Sequence, residues 1–379
     1  MSAPTLERRR AGTGADLPVV VAGAGSRGLA AAEALLDAGL AVVVVEAADA
    51  PGGLARCAPL WGLPHSLAAH GLPCTAAPDL VAQWLDLSGG HVERTRARHA
   101  VARGGRVTGT APRPAGRLAR AAARLAPAAG EHDVLSPVAG TGALWAELVR
   151  RLRSRGATVL LGTTALALEV AAGRVGAVRV RDADGERRLA CRAVVDALPE
   201  HRRLLAPGSI ALTRSLDTHL VHLLVEAPDG APVGPAAHDV TVDVTAGPAA
   251  GAGPAGGGLR TARLTPARAW RPRTLARRAG AVLRAELRST GDDALSALDE
   301  AGLRRLVQAE LPALGVTAPV RVLDDAVLHL PASVPVPGGE AGADLPAGLV
   351  RAADGPVPGA GDGLAAGRAA AARVPLPVR

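Results

Sequence analysis

The sequence predicts an α/β protein built on a parallel sheet, with chain enough for a second domain. Three observations carry this. A strand, glycine turn, helix and strand follow one another over residues 19–46. A second glycine turn, helix and strand follow at 140–160, and a short β-branched strand returns at 193–196. The 379 residues are enough for two domains, and 48% are apolar, so a sizeable core can be buried.

Residues 1–15 are polar, rich in Arg and Gly, and read as a disordered tail. Arginines ahead of an apolar run resemble a twin-arginine leader. Arg27, Glu33 and Asp37 break that run, and no stretch is apolar for long enough to span a bilayer. LPVVVAG (17–23) is then a short buried strand, β-branched and closed by glycine. SRGLAAAEALLDAGL (26–40) is a helix stopped at Gly39, and AVVVVEA (41–47) is a second buried strand. Gly23, Gly25 and Gly28 fit G-x-G-x-x-G at the first strand-to-helix turn. Gly23 permits the tight turn, Gly25 lets backbone approach a pyrophosphate, and Gly28 lets helix and strand pack closely. Ser26 opens the helix, whose free N–H groups and positive dipole end face the phosphates. Glu46 ends the second strand, where a carboxylate accepts the ribose hydroxyls of an adenosine. A glycine-rich turn in an ordinary parallel sheet is the competing reading.

DAPGGLAR (49–56) adds a second glycine pair, Gly52 and Gly53, with Arg56 as a nearby cation. The whole stretch 19–56 resembles the FAD-binding N-terminus of the amine oxidase, protoporphyrinogen oxidase and phytoene desaturase superfamily. That group includes the UDP-galactopyranose mutase-like flavoproteins. The resemblance implies a Rossmann-like FAD-binding domain with a discontinuous substrate domain and a helical cap. The expected boundaries are 16–60, 134–200 and 340–379 for the FAD-binding domain, and 61–133 and 201–339 for the cap and substrate domain.

WGLPHSLAAHGLPC (61–74) lies where the family carries a glycine-rich segment ending in histidine beside the flavin ring. His70 stands in that position, with Ala68 and Ala69 in place of two glycines. The resemblance makes His70 the candidate catalytic residue, with His329 behind it. A packed or solvent-facing histidine is the plain alternative. Residues 76–130 read as mostly helical. SPVAGTGALWAELVRRLRSRGATVLLGT (136–163) resembles the family's second glycine turn, helix and strand, and places Ala165 where the backbone meets adenine. A β-hairpin with turns at AAG and DADG follows, and AVVDALP (193–199) returns a strand to the sheet.

THLVHLLVEA alternates as a strand, which puts His219 and His222 on opposite faces and makes them a poor metal pair. TAGPAAGAGPAGGG (245–258) is a loop, and GDDALSALDEAGLRRLVQAELPALG (291–315) a capped amphipathic helix. VLDDAVLHLPASVPVP (322–337) resembles a family strand, with His329 where arginine is common. The terminal DGPVPGAGDGLAAGRAAAARV resembles the family's closing glycine–aspartate motif and helix. By that resemblance Gly361 and Asp362 meet the ribityl or pyrophosphate portion of FAD. A plain Gly/Ala-rich tail is the alternative.

Composition narrows the chemistry. Phe, Tyr, Lys and Asn are absent, as expected of a very GC-rich gene; a decayed gene would look the same. Without Lys there is no Schiff base and no phosphate-binding lysine. The formal charge of +8 comes from Arg alone, without interleaved aromatics, so nucleic acid is not an expected partner. The three cysteines form no metal or redox pair and fit a reducing compartment. No metal is expected, and localisation reads as cytoplasmic with peripheral membrane contact left open.

Three functions follow from the resemblance. The first is an FAD-dependent oxidoreductase that oxidises or desaturates an apolar, lipid-like small molecule. Flavin supplies the hydride chemistry, and such reactions need few dedicated side chains. The second is a sugar-nucleotide mutase, although the tyrosines that hold its nucleotide in the family are gone; Arg56, Arg94 and Arg98 replace them only in part. The third is a non-catalytic remnant of the family.

Overall fold

The computed structural model describes residues 17–67, 71–103, 106–108, 131–199, 204, 214–226, 240–244, 259–266, 281–316, 319–336, 345–352 and 360–375. The tail at 1–15, His70 and the loop at 245–258 lie outside them. The chain divides into two compact units, 1–56 with 145–214 and 337–379, and 57–144 with 215–336.

The first stretch contains β1 (Val19–Ala22), α1 (Ser26–Asp37) and β2 (Val42–Val45), followed by a single 3-10 turn at Gly53–Ala55. The chain then forms β3 (Cys57–Leu60), β4 (Leu63–Ser66), β5 (Leu72–Pro73), α2 (Pro78–Leu87), β6 (Val92–Arg103), β7 (Arg106–Thr108) and β8 (Glu131–Pro137). Helix α3 (Thr141–Ser154) leads to β9 (Thr158–Leu160), β10 (Thr164–Ala171), β11 (Arg174–Asp182), β12 (Gly185–Ala190) and β13 (Ala193–Asp196). Next come β14 (Arg214–Glu226), β15 (Val240–Val244), β16 (Thr261–Pro266), β17 (Ala281–Ser289), α4 (Glu300–Glu310) and β18 (Arg321–Val336). The last stretch contributes β19 (Leu349–Arg351) and α5 (Ala360–Ala371).

In the first unit a five-stranded parallel sheet runs in the order β19-β13-β1-β2-β9. The four residues of β1 are fully buried, which is why the strand is an unbroken apolar run rather than an alternating one. One face packs on the antiparallel layer β10-β11-β12 through Val20, Val43, Leu168, Val178, Val180 and Val194. Cys191 sits in this core, and burial pushes its thiol up to about 12, so it packs as a small hydrophobe. Strand order reverses at β1, between β2 and β13. A ligand of an open parallel sheet binds beyond the carboxyl ends of its strands at such a point.

The second unit holds a nine-stranded mixed sheet and the hairpin β3–β4. Leu223, Leu264, Ala285 and Leu287 of the sheet pack against Leu303 and Val307 of α4. Two stretches depart from the sequence expectation. Of residues 76–130, the described helix is α2 alone, and Val92–Arg103 is a long strand pairing β8 and β15. Its small residues Ala100 and Ala102 are buried one pleat apart, a period of two. The helix expected over 291–315 starts later. Asp293 accepts the amides of Leu295 and Ser296 in a turn, and Asp299 caps α4 by accepting from Gly302 N at 2.7 Å.

Candidate cofactor site

The site grows from the end of β1. Gly23 has φ +100, a value open to glycine, and a side chain there would crowd Ala197 O at 3.2 Å. Its N–H donates to Val45 O, which holds the turn onto β2. At Gly28 a Cβ would fall 1.8 Å from Gly23 O, so this glycine is what lets α1 lie against its own strand. Gly25 is different. It has ordinary extended geometry, φ −73 and ψ 179, and a Cβ there would meet only Gly53 Cα at 4.0 Å. Neither backbone strain nor the described neighbours demand glycine at 25. Space kept open at a helix N-terminus is what a diphosphate needs.

The second glycine pair lies beside the first. Gly52 N donates to Ala24 O at 2.8 Å, and Gly25 and Gly52 form an isolated parallel bridge. Gly53, at φ +55, has room for only a tight Cβ, 3.3 Å from Gly25 Cα. The Arg56 guanidinium donates to Gly53 O at 3.3 Å and closes the 3-10 turn.

Glu46 stands where the sequence places it, and its carboxylate is held by backbone. Oε2 accepts from Ala24 N at 2.7 Å, and Oε1 from Ala48 N at 2.9 Å. These bonds aim the carboxylate across the glycine turn and leave further lone pairs for ribose hydroxyls. Ala165 is the second residue of β10, half-buried and opposite Val180.

Gly361 and Asp362 fall in the first turn of α5, which packs along α1. At Gly363 a Cβ would lie 2.0 Å from Ser26 Oγ, and at Gly367 it would lie 2.0 Å from Arg27 O. Both helices therefore run in the same direction with their N-termini side by side. Two helix N-termini meet near Gly25; α1 carries no acidic residue in its first turn, whereas α5 carries Asp362 in its own. Ser26 Oγ lies at the helix–helix contact. The sequence reading missed Gly363 and Gly367; their spacing of one helical turn was the available signal.

It also missed the job of Trp145. This residue is fully buried, its indole N–H donates to Ala55 O at 3.1 Å, and its Cδ1 sits 2.5 Å from where a Cβ on Gly52 would be.

In the second unit, fully buried Arg284 donates to Ser66 O at 2.6 Å, to Leu67 O at 3.2 Å and to Glu286 Oε1 at 2.8 Å. Burial pulls its pKa down, while the Glu286 carboxylate holds it up. The bonds tie the end of β4 just ahead of the segment that carries His70. His222 pairs with Arg284 across the strands, and His65 meets His222 edge-on at 5.4 Å. His329, half-exposed, bonds Asp217 Oδ2 at 2.9 Å and stacks on His219 at 4.8 Å. His219 and His222 lie on opposite sheet faces, and among the described residues no group of His, Cys, Asp and Glu could hold a metal. No helix among the described residues is long and apolar enough to cross a membrane.

Comparison with known proteins agrees with this geometry. Residues 21–86 match the NAD(P)-binding Rossmann-like domain. A stretch of 49 residues is 59% identical to the hydroxyneurosporene desaturase of Rhodobacter capsulatus, covering 13% of this chain and 10% of the desaturase. The chain thus matches only about a tenth of that relative's length. A protein described as a protoporphyrinogen oxidase from Exiguobacterium sp. 255-15 superposes with TM-score 0.62 at 14% identity, over 94% of this chain and 98% of that one. Putrescine oxidase bound to putrescine superposes with TM-score 0.58 at 15% identity, over 94% and 98% of the two chains. The glycerol-3-phosphate dehydrogenase of Bacillus halodurans, complexed with FAD, gives 0.55 at 13% identity, over 96% and 66%. The chain shares the fold of these oxidoreductases.

Proposed function

We propose that the protein binds FAD through this cradle and uses it to oxidise or desaturate an apolar small molecule. The observation that carries the reading is Gly25. It is a glycine at a helix N-terminus that packing does not require, beside a second helix N-terminus and a second glycine turn. Gly23, Gly25, Ser26, Gly28, Gly52, Gly53 and Arg56 would surround the diphosphate, Glu46 the adenosine ribose, Ala165 the adenine, and Gly361 and Asp362 the flavin end. When bound, FAD would supply a two-electron oxidant at a substrate C–H bond. The protein's part is to hold the dinucleotide, orient the substrate and exclude water. The chain has neither Lys nor Tyr to act as a dedicated base or phenolic acid. That composition and the local likeness to a desaturase favour an apolar substrate over a sugar nucleotide.

The test is the visible spectrum of the purified protein with FAD measured after heat release, followed by anaerobic addition of a polyene. A yellow protein with stoichiometric FAD, bleached by the polyene, is the expected result. A colourless protein that refuses added FAD refutes the reading. Bleaching absent with a polyene, but sugar-nucleotide isomerisation present after chemical reduction, replaces the substrate class with the mutase reaction.

A further inference from the structure

The Pro51-Gly52-Gly53 turn is the least constrained part of the cradle by sequence. Two successive glycines carry the largest backbone entropy of any residue pair, so a free loop of this kind would be ordered only when a ligand arrived. In the structure contacts from outside the turn hold it. Gly52 sits at φ +110 and Gly53 at φ +55. Around them Ala55 N bonds Gly52 O at 2.9 Å and Arg56 N bonds Gly53 O at 3.2 Å. The feature that fixes the turn from outside is the Trp145 indole. Its ring edge occupies the volume a side chain on residue 52 would take, and its N–H donates to the carbonyl that ends the turn. A buried indole N–H is costly without an acceptor, and Ala55 O meets that need with both groups buried. The turn in turn reaches the first glycine loop through Gly52 N to Ala24 O.

We propose that Trp145 is a positioning residue for the dinucleotide. It touches none of the reacting atoms. It holds the second glycine turn against the first, so that the ordering cost of the turn is met on folding and not on binding. The inference rests on the reading that this cradle takes FAD.

The test uses the full-length apoprotein, the wild type and Trp145→Phe, which keeps an aromatic ring and removes the N–H. Hydrogen exchange over residues 52–56 is read first, without ligand. Wild type is expected to protect the Gly52, Ala55 and Arg56 amides before FAD is added, with little further protection afterwards. Trp145→Phe is expected to exchange them faster. FAD titration should then show Kd raised by about three- to tenfold, the size of one lost hydrogen bond. Amide exchange in the rest of the first unit should stay near wild type, a split that general damage to the fold would not give. Wild-type amides that become protected only when FAD is added overturn the proposal, and so does unchanged exchange or unchanged Kd in Trp145→Phe. If wild type binds no FAD at all, the function reading fails on its own, while the exchange of the apoprotein still decides whether Trp145 holds the turn. If Trp145→Phe does not fold, the wild-type exchange comparison decides alone.

Discussion

Replacing Gly25 and Gly28 one at a time by alanine separates a glycine kept for a ligand from a glycine kept for packing. At Gly25 the backbone is in the ordinary extended region, and a methyl would stand 4.0 Å from Gly53 Cα, an ordinary contact. Apoprotein stability should stay within about 0.5 kcal/mol of wild type or rise slightly, because alanine narrows the unfolded ensemble. The same methyl projects into the space assigned to the diphosphate. Overpacking by one methyl costs about 1–3 kcal/mol, which is roughly a 5- to 150-fold rise in the FAD Kd. Gly25→Val should expel the cofactor outright. At Gly28 the methyl would lie 1.8 Å from Gly23 O and 2.9 Å from Gly23 C, backbone atoms that cannot rotate away. Helix α1 must move off β1, and about 3 kcal/mol or more of stability is lost. Thermal unfolding of the apoproteins and FAD titration read both arms. The reasoning is refuted if Gly25→Ala melts as low as Gly28→Ala, or if it binds FAD with the wild-type Kd.

Two more predictions follow from the helix pair and the histidine stack. Gly367→Ala should lower the urea midpoint by about 1–3 kcal/mol of stability, because its Cβ meets Arg27 backbone. Gly363→Ala should cost less, since the nearest atom there is the rotatable Ser26 hydroxyl. Burial first, and then the neighbouring His329, hold the His219 pKa below its ordinary value, while Asp217 and Asp293 pull it up. The unfolded chain therefore takes up a proton the folded one resists. Stability is full above about pH 6.5 and declines as pH falls from there toward the lower folded value. Urea midpoints between about pH 7.5 and about pH 5.5 should show this slope in wild type and a shallower one in His219→Gln. Equal slopes would remove His219 as the cause.

Much of the first unit was legible because each of its signals is local. A buried parallel strand must be a continuous apolar run, and Gly28 answers a close approach to Gly23 five residues earlier. Glu46 was legible as a position, but not as a carboxylate tethered by Ala24 N and Ala48 N, which depends on the turn's final geometry. The helix pair was half-legible. Gly363 and Gly367 were visible as spacing, yet a Gly/Ala-rich segment shows no apolar stripe, so nothing local says which face is buried. Strand β6 was misread because Arg94, Arg96, Arg98 and Arg103 give it the composition of a solvated helix.

Trp145 shows the limit most plainly. Its neighbours on α3, Leu144 and Leu148, are core residues, and an apolar aromatic among them reads as one more. The reason for its identity lies about ninety residues earlier, in a glycine that has no side chain to signal the contact. A glycine can be required because backbone must bend, because a ligand must approach, or because another residue already fills its side-chain volume. Sequence spacing predicts the first at Gly23 and the second at Gly25. The third, at Gly52, needed the position of the indole. The three reasons also predict different losses on substitution by alanine: backbone strain at 23, ligand affinity at 25, and both strain and a clash with Trp145 at 52.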